Sequence, residues 1–198
     1  MKDLNLIIAG VGGQGNILAS NIMAEVALTS GYDTKQTDTL GMAQRGGSVI
    51  SQIRASSKVY SPLIKLGQAD LILAFEKLEA LRWAQYLNKY STVIINNHRI
   101  TPTSVNIGKE NYPEDKEIIS ILKEKASRVI FINGNEYAIN LGNIRVLNIF
   151  MLGCASFFLP FKVQIWENVI SQQLPSKIVP INITAFNKGR KEIQNVNF

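Results

Sequence analysis

The sequence predicts a three-layer α/β/α domain with a mostly parallel, Rossmann-like sheet and helices gathered toward its C-terminal end. Two observations carry that prediction. Short apolar runs closed by turn residues, at 4–9, 70–75, 91–97 and 128–134, alternate with longer amphipathic stretches, as strands joined by helical crossovers do. The first run leads directly into "GVGGQG", residues 10–15, which sets Gly10, Gly12 and Gly15 at the spacing of a turn between a strand and a helix that can cradle a phosphate.

Residues 4–9 read as a buried strand. From Gln14 to Thr29 a helix is expected, with Ile17, Leu18, Ile22, Met23 and Val26 inward and Gly31 as its stop. "YDTKQTDT" alternates loosely as a second strand, 40–47 is a glycine-rich loop, and 48–55 alternates as a third strand. "SKVYSPLIKLGQA" has few helix signals and is expected to be irregular. A buried strand at 70–75 precedes an amphipathic helix over 76–87, inward through Leu78, Leu81 and Tyr86, and 91–97 is a further strand. Residues 98–113 are turn-rich, with room for one edge strand. Pro113 and the acidic residues after it open a charged helix, and 128–134 is the next strand. Residues 143–159 form the most apolar helix, stopped by Pro160, and "VQIWENVISQQL" another, stopped by Pro175. A short helix near "NITAFNKGRKEI" closes the pattern, and the helices from 143 onward are expected to cover one face or edge of the sheet. With no repeat or linker in view, residues 1–198 read as a single domain.

Charged residues are 18% of the chain, below the roughly one quarter usual for soluble domains, which hints at a surface covered by a partner. The net charge of +6 favours phosphate-bearing or acidic partners or is an ordinary solvated surface, and the chain has no basic stripe interleaved with aromatics of the kind that binds nucleic acid. A single cysteine, Cys154, excludes an internal disulfide and an iron–sulfur cluster held by this chain alone, and points to the cytoplasm. No apolar run is long enough to span a membrane. With one histidine and one cysteine, neither a Ser/His/Asp set nor a zinc cluster can be assembled.

The glycine turn leaves several readings open: nucleotide binding, a plain strand–helix turn, or another anion or interface role. A free-standing dinucleotide-binding oxidoreductase needs a carboxylate at the end of the second strand for the ribose. Asp33 opens that strand and Asp38 closes it before the long loop, so neither fits well. The second loop, "GMAQRGGSV", holds Gln44, Arg45, Gly46 and Gly47 between two strands; Arg45 presents its planar fork either to a carboxylate or phosphate or to solvent. His98 is a loop histidine or a base, and Cys154 a small core residue. Trp83 and Trp166 are core or interface anchors, and Glu76 and Glu79 either site carboxylates or residues that stabilise a helix start.

"GVGGQGNILASNIMAEVA", "GMAQRGGSV", "VYSPLI", "ADLILAFEKLEALR", "TVIINNHRITP", "NIFMLG" and "NITAFNKG" follow one another along nearly the whole chain. Together they resemble the gamma-subunit or gamma-domain family of pyruvate and 2-oxoacid ferredoxin oxidoreductases, and "MAQRGGSV" looks like its indolepyruvate (arylpyruvate) type. The resemblance implies an accessory subunit, inactive alone, of an oxidoreductase that converts a 2-oxoacid, coenzyme A and oxidised ferredoxin to acyl-CoA, carbon dioxide and reduced ferredoxin. Thiamine diphosphate and iron–sulfur clusters are then expected on a larger catalytic partner subunit, with ferredoxin engaged only indirectly. On that reading Gly10, Gly12, Gly13, Gln14 and Gly15 join Gln44, Arg45, Gly46 and Gly47 at one sheet edge, facing the partner's active site or the coenzyme A path. An isolated chain is expected to be able to form a homodimer through the surface a partner would cover.

Overall fold

The computed structural model describes residues 2–40, 46–108 and 110–196. Six strands form one sheet: β1 (Leu4–Val11), β2 (Asp33–Leu40), β3 (Ser48–Ser56), β4 (Leu71–Ala74), β5 (Thr92–Asn96) and β6 (Arg128–Ile132), in the order β2-β3-β1-β4-β5-β6. β1, β4, β5 and β6 pair in parallel, while β3 pairs antiparallel with both β1 and β2. The expected mostly parallel sheet therefore contains one reversed strand. The cause is local: seven residues separate β2 from β3, enough for a hairpin and too few for a parallel crossover.

Helices α1 (Asn16–Thr29), α5 (Gly134–Asn140), α6 (Leu147–Ser156), α7 (Val163–Gln173) and α8 (Val179–Gln194) lie on one face of the sheet. Helices α2 (Lys77–Arg82) and α4 (Asp115–Lys125) lie on the other, with the irregular segment that carries Ile64 beside them. The two faces have separate cores, one around Leu6, Ile8, Phe75, Phe150 and Trp166, the other around Ile7, Ile50, Ile72, Val93 and Leu122. The side-chain alternation along β1, Leu6 and Ile8 against Ile7 and Ala9, feeds both.

Several elements depart from the sequence reading. In α1, Ile22, Met23 and Val26 are buried as expected, but Ile17 is exposed and Leu18 only half-buried. The helix also buries its small residues Ala19, Ser20, Ala24 and Ala27. Gly31 ends it in a left-handed conformation, with the Tyr32 N–H returning to the Ala27 carbonyl. The helix expected over 76–87 stops at Arg82 and gives way to a 3-10 turn at Ala84–Tyr86. There the Gln85 and Tyr86 carbonyls accept from Gly67 and Ala69 instead of continuing the helix. Leu78, Leu81 and Tyr86 are only half-buried, while Ala80, Ala84 and Leu87 are buried. Within 98–113 the described residues form the short helix α3 (Thr103–Asn106) and no strand.

The apolar helix α6 begins at Leu147, after a 3-10 turn at Ile144–Val146, and ends at Ser156 rather than at Pro160. α8 runs for 16 residues, not a short closing turn, and crosses α6 where two glycines meet. A Cβ on Gly153 would lie 2.1 Å from the Phe186 carbonyl oxygen, and one on Gly189 2.0 Å from that of Phe150. Cys154 sits fully buried in this crossing, its Sγ 3.4 Å from the Gly189 oxygen, and burial pushes its thiol pKa well up. Trp166 is a core residue stacked on Phe186; Trp83 is half-buried.

Candidate functional site

β1 leads to α1 on one face of the sheet, and β4 leads to α2 on the other. The carboxyl ends of these adjacent parallel strands thus form the point where the chain switches faces, the place where open α/β sheets leave a crevice. A crevice of about 420 Å³ opens there, lined by Gly13, Gln14, Gly15, His98, Ile100, Asn135, Ile144, Arg145, Leu147 and Asn148.

The glycine turn is built around amides. Gln14 Oε1 accepts the Val11 N–H at 2.8 Å, and its Nε2 donates to the Phe75 carbonyl at the end of β4, 3.0 Å away. Asn96 Nδ2 donates to the same carbonyl at 3.1 Å and to Asn135 Oδ1 at 2.8 Å. Gly10 is buried inside β1, where a Cβ would meet the Asn16 and Gln14 amides at 2.7–2.8 Å. Its part in the site is to make room for them rather than to face a ligand. Gly13 is exposed and Gly12 and Gly15 half-exposed. Gly15 caps α1 at φ 81°, and a Cβ there would run into Asn148 Nδ2 at 2.5 Å. Among the described residues no side chain caps α1, and its first turn has no acidic residue, so its leading N–H groups and positive end open toward the crevice. Arg145 adds a cationic side chain to the wall.

The second loop ends beside the first. Gly12 donates its N–H to the Gly47 carbonyl at 2.9 Å, and Gly46 donates back to the Gly12 carbonyl at 3.5 Å. Gln44 and Arg45 lie outside the described residues. The following residues are pinned: Ser48 Oγ donates to the Glu79 carboxylate, and Asn16 Nδ2 to the Val49 carbonyl at 3.4 Å. Glu79 also takes Arg82 Nε at 3.1 Å.

Glu76 is 1% exposed and accepts three bonds: Glu79 N–H at 3.0 Å, Ile100 N–H at 3.1 Å and the Tyr112 hydroxyl at 2.5 Å. It stabilises the start of α2, as one sequence reading held, and also clamps the strap that brings His98 and Ile100 to the crevice. Burial first, and then this bond to Glu76, drive the Tyr112 hydroxyl pKa far above its ordinary value.

The dinucleotide reading fails on geometry. β3 stands between β1 and β2, so the strand that would carry a ribose carboxylate is displaced by one position. Asp38 accepts from Ser20 Oγ at 3.2 Å and from Ser51 Oγ, and Asp33 accepts the Val59 N–H at 2.8 Å. Sequence reasoning did not single out Asn16, Asn96, Asn135, Asn148 or Arg145 for the site. Only the strand–turn setting of Asn96 and the closeness of "NIFMLG" to an expected helix start could have pointed to them.

The model of the pyruvate ferredoxin/flavodoxin oxidoreductase family matches residues 5–192. The chain is 40% identical over 188 residues to the indolepyruvate oxidoreductase subunit IorB of Archaeoglobus fulgidus, covering 94% of this chain and 93% of that one. It is 36% identical over 194 residues to the IorB subunit of Pyrococcus horikoshii, covering 96% of each. In fold it is similar to the gamma subunit of a keto/oxoacid ferredoxin oxidoreductase from Geobacter sulfurreducens, with a TM-score of 0.71 at 22% identity over 98% of this chain and 99% of that one. It is also similar to the 2-oxoglutarate:ferredoxin oxidoreductase of Magnetococcus marinus, solved with 2-oxoglutarate, coenzyme A and succinyl-CoA bound, with a TM-score of 0.79 at 21% identity. There it covers all of this chain and 32% of that one. The chain belongs to the pyruvate ferredoxin/flavodoxin oxidoreductase family, among its indolepyruvate-type subunits.

Proposed function

We propose that residues 1–198 act as one domain, the accessory subunit of a cytoplasmic 2-oxoacid:ferredoxin oxidoreductase of the indolepyruvate type. The complex joins an arylpyruvate-class oxoacid and coenzyme A, releases carbon dioxide and passes electrons to ferredoxin. A larger partner subunit holds thiamine diphosphate and the iron–sulfur clusters. The donor set of this chain supports that division: its single thiol is buried between α6 and α8 and cannot ligate a cluster.

The observation that carries the reading is the joining of the two glycine loops through Gly12 and Gly47 at the open end of α1. Gly12, Gly13, Gln14 and Gly15 offer donors and a positive helix end, Gly46 and Gly47 hold the end of the second loop against them, and we assign to Gln44 and Arg45, which precede them in sequence, an amide and an always-charged cation for the same ligand. This arrangement suits a phosphate or carboxylate, and of the reaction's anions we assign coenzyme A, through its phosphates, to it. The residues bind and orient it, while the thiamine cofactor supplies the carbanion chemistry.

The test is Arg45→Ala in the reconstituted complex. We expect the KM for coenzyme A to rise about tenfold with kcat for the oxoacid little changed, as loss of a paired charge on a bound anion predicts. Unaltered kinetics together with unaltered assembly would refute the assignment.

A further inference from the structure

The motif "VYSPLI" lies far from the crevice, at the amino ends of the parallel strands, and the proposed site makes no use of it. Its backbone is held in an irregular path by three side chains. Asp33 accepts the Val59 N–H at 2.8 Å, Arg54 donates to the Ser61 carbonyl at 3.1 Å, and Gln52 accepts the Ile64 N–H at 2.8 Å. Val59 and Ile64 are buried by this path, while Tyr60 and Leu63 are turned outward. The next stretch is sewn to the segment after α2, since Gly67 donates to the Gln85 carbonyl, Ala69 to that of Tyr86, and Asn88 Nδ2 to that of Gly67. That seam brings Leu66 and Tyr90 to the same region. Tyr60, Leu63, Leu66 and Tyr90 are 85, 60, 64 and 76% exposed. Large apolar side chains displayed on a fixed backbone are the pattern of interface anchors.

The charges that project around them are Lys58, Lys65 and Lys89, all exposed, with the Lys89 ammonium 5.1 Å from the Tyr90 ring. Among the described carboxylates at this end, Asp70 accepts the Asn5 N–H at 2.8 Å, Asp33 that of Val59, and the exposed Asp3 accepts from Ser56 Oγ, so the lysines outweigh them. A second copy of this chain would meet this face with the same lysines. A nucleic acid would match the lysines but offers no apolar recess for Leu63 and Leu66.

We infer that the surface formed by Tyr60, Leu63, Leu66 and Tyr90 with Lys58, Lys65 and Lys89 is the docking face for the larger partner subunit of its own complex, at a patch that is acidic around an apolar centre. This inference rests on the accessory-subunit reading. It places one grip of the partner at the opposite end of the sheet from the glycine loops, leaving the crevice to face the coenzyme A path.

The test is the affinity of the full chain for the thiamine- and cluster-bearing subunit encoded with it, measured by biolayer interferometry across increasing NaCl. Leu63→Ser and Tyr60→Ala should each weaken binding about tenfold at every salt concentration, as lost apolar anchors do. Lys58→Glu/Lys65→Glu/Lys89→Glu should weaken it by a similar or larger factor at low salt and flatten the salt dependence. Lys162→Glu/Lys177→Glu, on the α7–α8 side, should leave it unchanged. A wild-type complex unaffected by the patch variants overturns the docking face alone. So does self-association of the wild-type chain in analytical ultracentrifugation, or RNA binding, abolished by the same variants. If the wild-type chain does not bind that subunit at all, the accessory-subunit reading falls and this inference falls with it.

Discussion

The Gln14 side-chain amide donates to the Phe75 carbonyl, 3.0 Å away, and so joins the turn after β1 to the end of β4 at the point where the chain changes faces. A carboxylate cannot replace that donor. Gln14→Glu should set an anionic oxygen against the Phe75 carbonyl and lower unfolding free energy by about 1–3 kcal/mol at neutral pH. Acidification through the ordinary carboxylate range should restore part of the loss, because the introduced carboxyl can donate again once it is protonated. Gln14→Ala should show no such recovery; urea titrations at pH 7 and pH 4 compare the two.

The α6–α8 crossing tolerates no side chain at its glycines. Gly153→Ala puts a methyl 2.1 Å from a backbone oxygen that cannot swing aside, so the helices must separate. We expect a loss of about 3 kcal/mol or more, or failure to fold, read from thermal unfolding.

Stability should fall on the alkaline side in two steps. Burial holds the Cys154 thiol well up, whereas an unfolded thiol ionises at about 8.5. The Tyr137 hydroxyl donates to Glu192 at 2.7 Å, and that bond, with burial, raises its pKa to about 12, against about 10 in an unfolded chain. Both groups have raised folded values, so their contributions are whole below the unfolded values and are lost as pH climbs past them. Glu192 has the opposite sign: its bond to Lys188 first, and the one from Tyr137, lower its pKa, so its contribution fades as pH drops below the ordinary carboxylate range. Tyr137→Phe should reduce the fall above about pH 10 in urea midpoints measured against pH, leaving the share that Tyr112, also raised by burial and its bond to Glu76, contributes. Native Cys154 should resist iodoacetamide at pH 8 and react on unfolding.

NAD and FAD should not bind. With β3 between β1 and β2, and Asp38 engaged by Ser20 and Ser51, no ribose carboxylate stands beside the glycine turn among the described residues. Calorimetric titration should show no saturable heat up to roughly millimolar dinucleotide, a range that would expose even weak sites. Saturable binding would restore the free-standing dinucleotide reading.

What was legible in the sequence follows from what is local. The apolar run of β1, the Gly10–Gly15 spacing and the stop at Gly31 are short-range signals, and each was met. The place of β3 beside β1 was not legible, because it depends on pairs such as Leu4 with Ala55, whose partners are far apart in the chain. The early end of α2 was hidden for the same reason: Gln85 and Tyr86 lose their helix to carbonyl bonds with Gly67 and Ala69. In the site, the glycines announced themselves, but Asn16, Asn96 and Asn148 read as ordinary polar residues. Nothing in a sequence tells a buried amide from a solvated one.

The glycine-to-glycine crossing of α6 with α8 also bears on synthesis in the cell. α6 is buried along its whole length, and α8 is among the elements that cover it. Until α8 has itself left the ribosome, α6 stands with one flank bare. The newly made chain is then a natural client for chaperones.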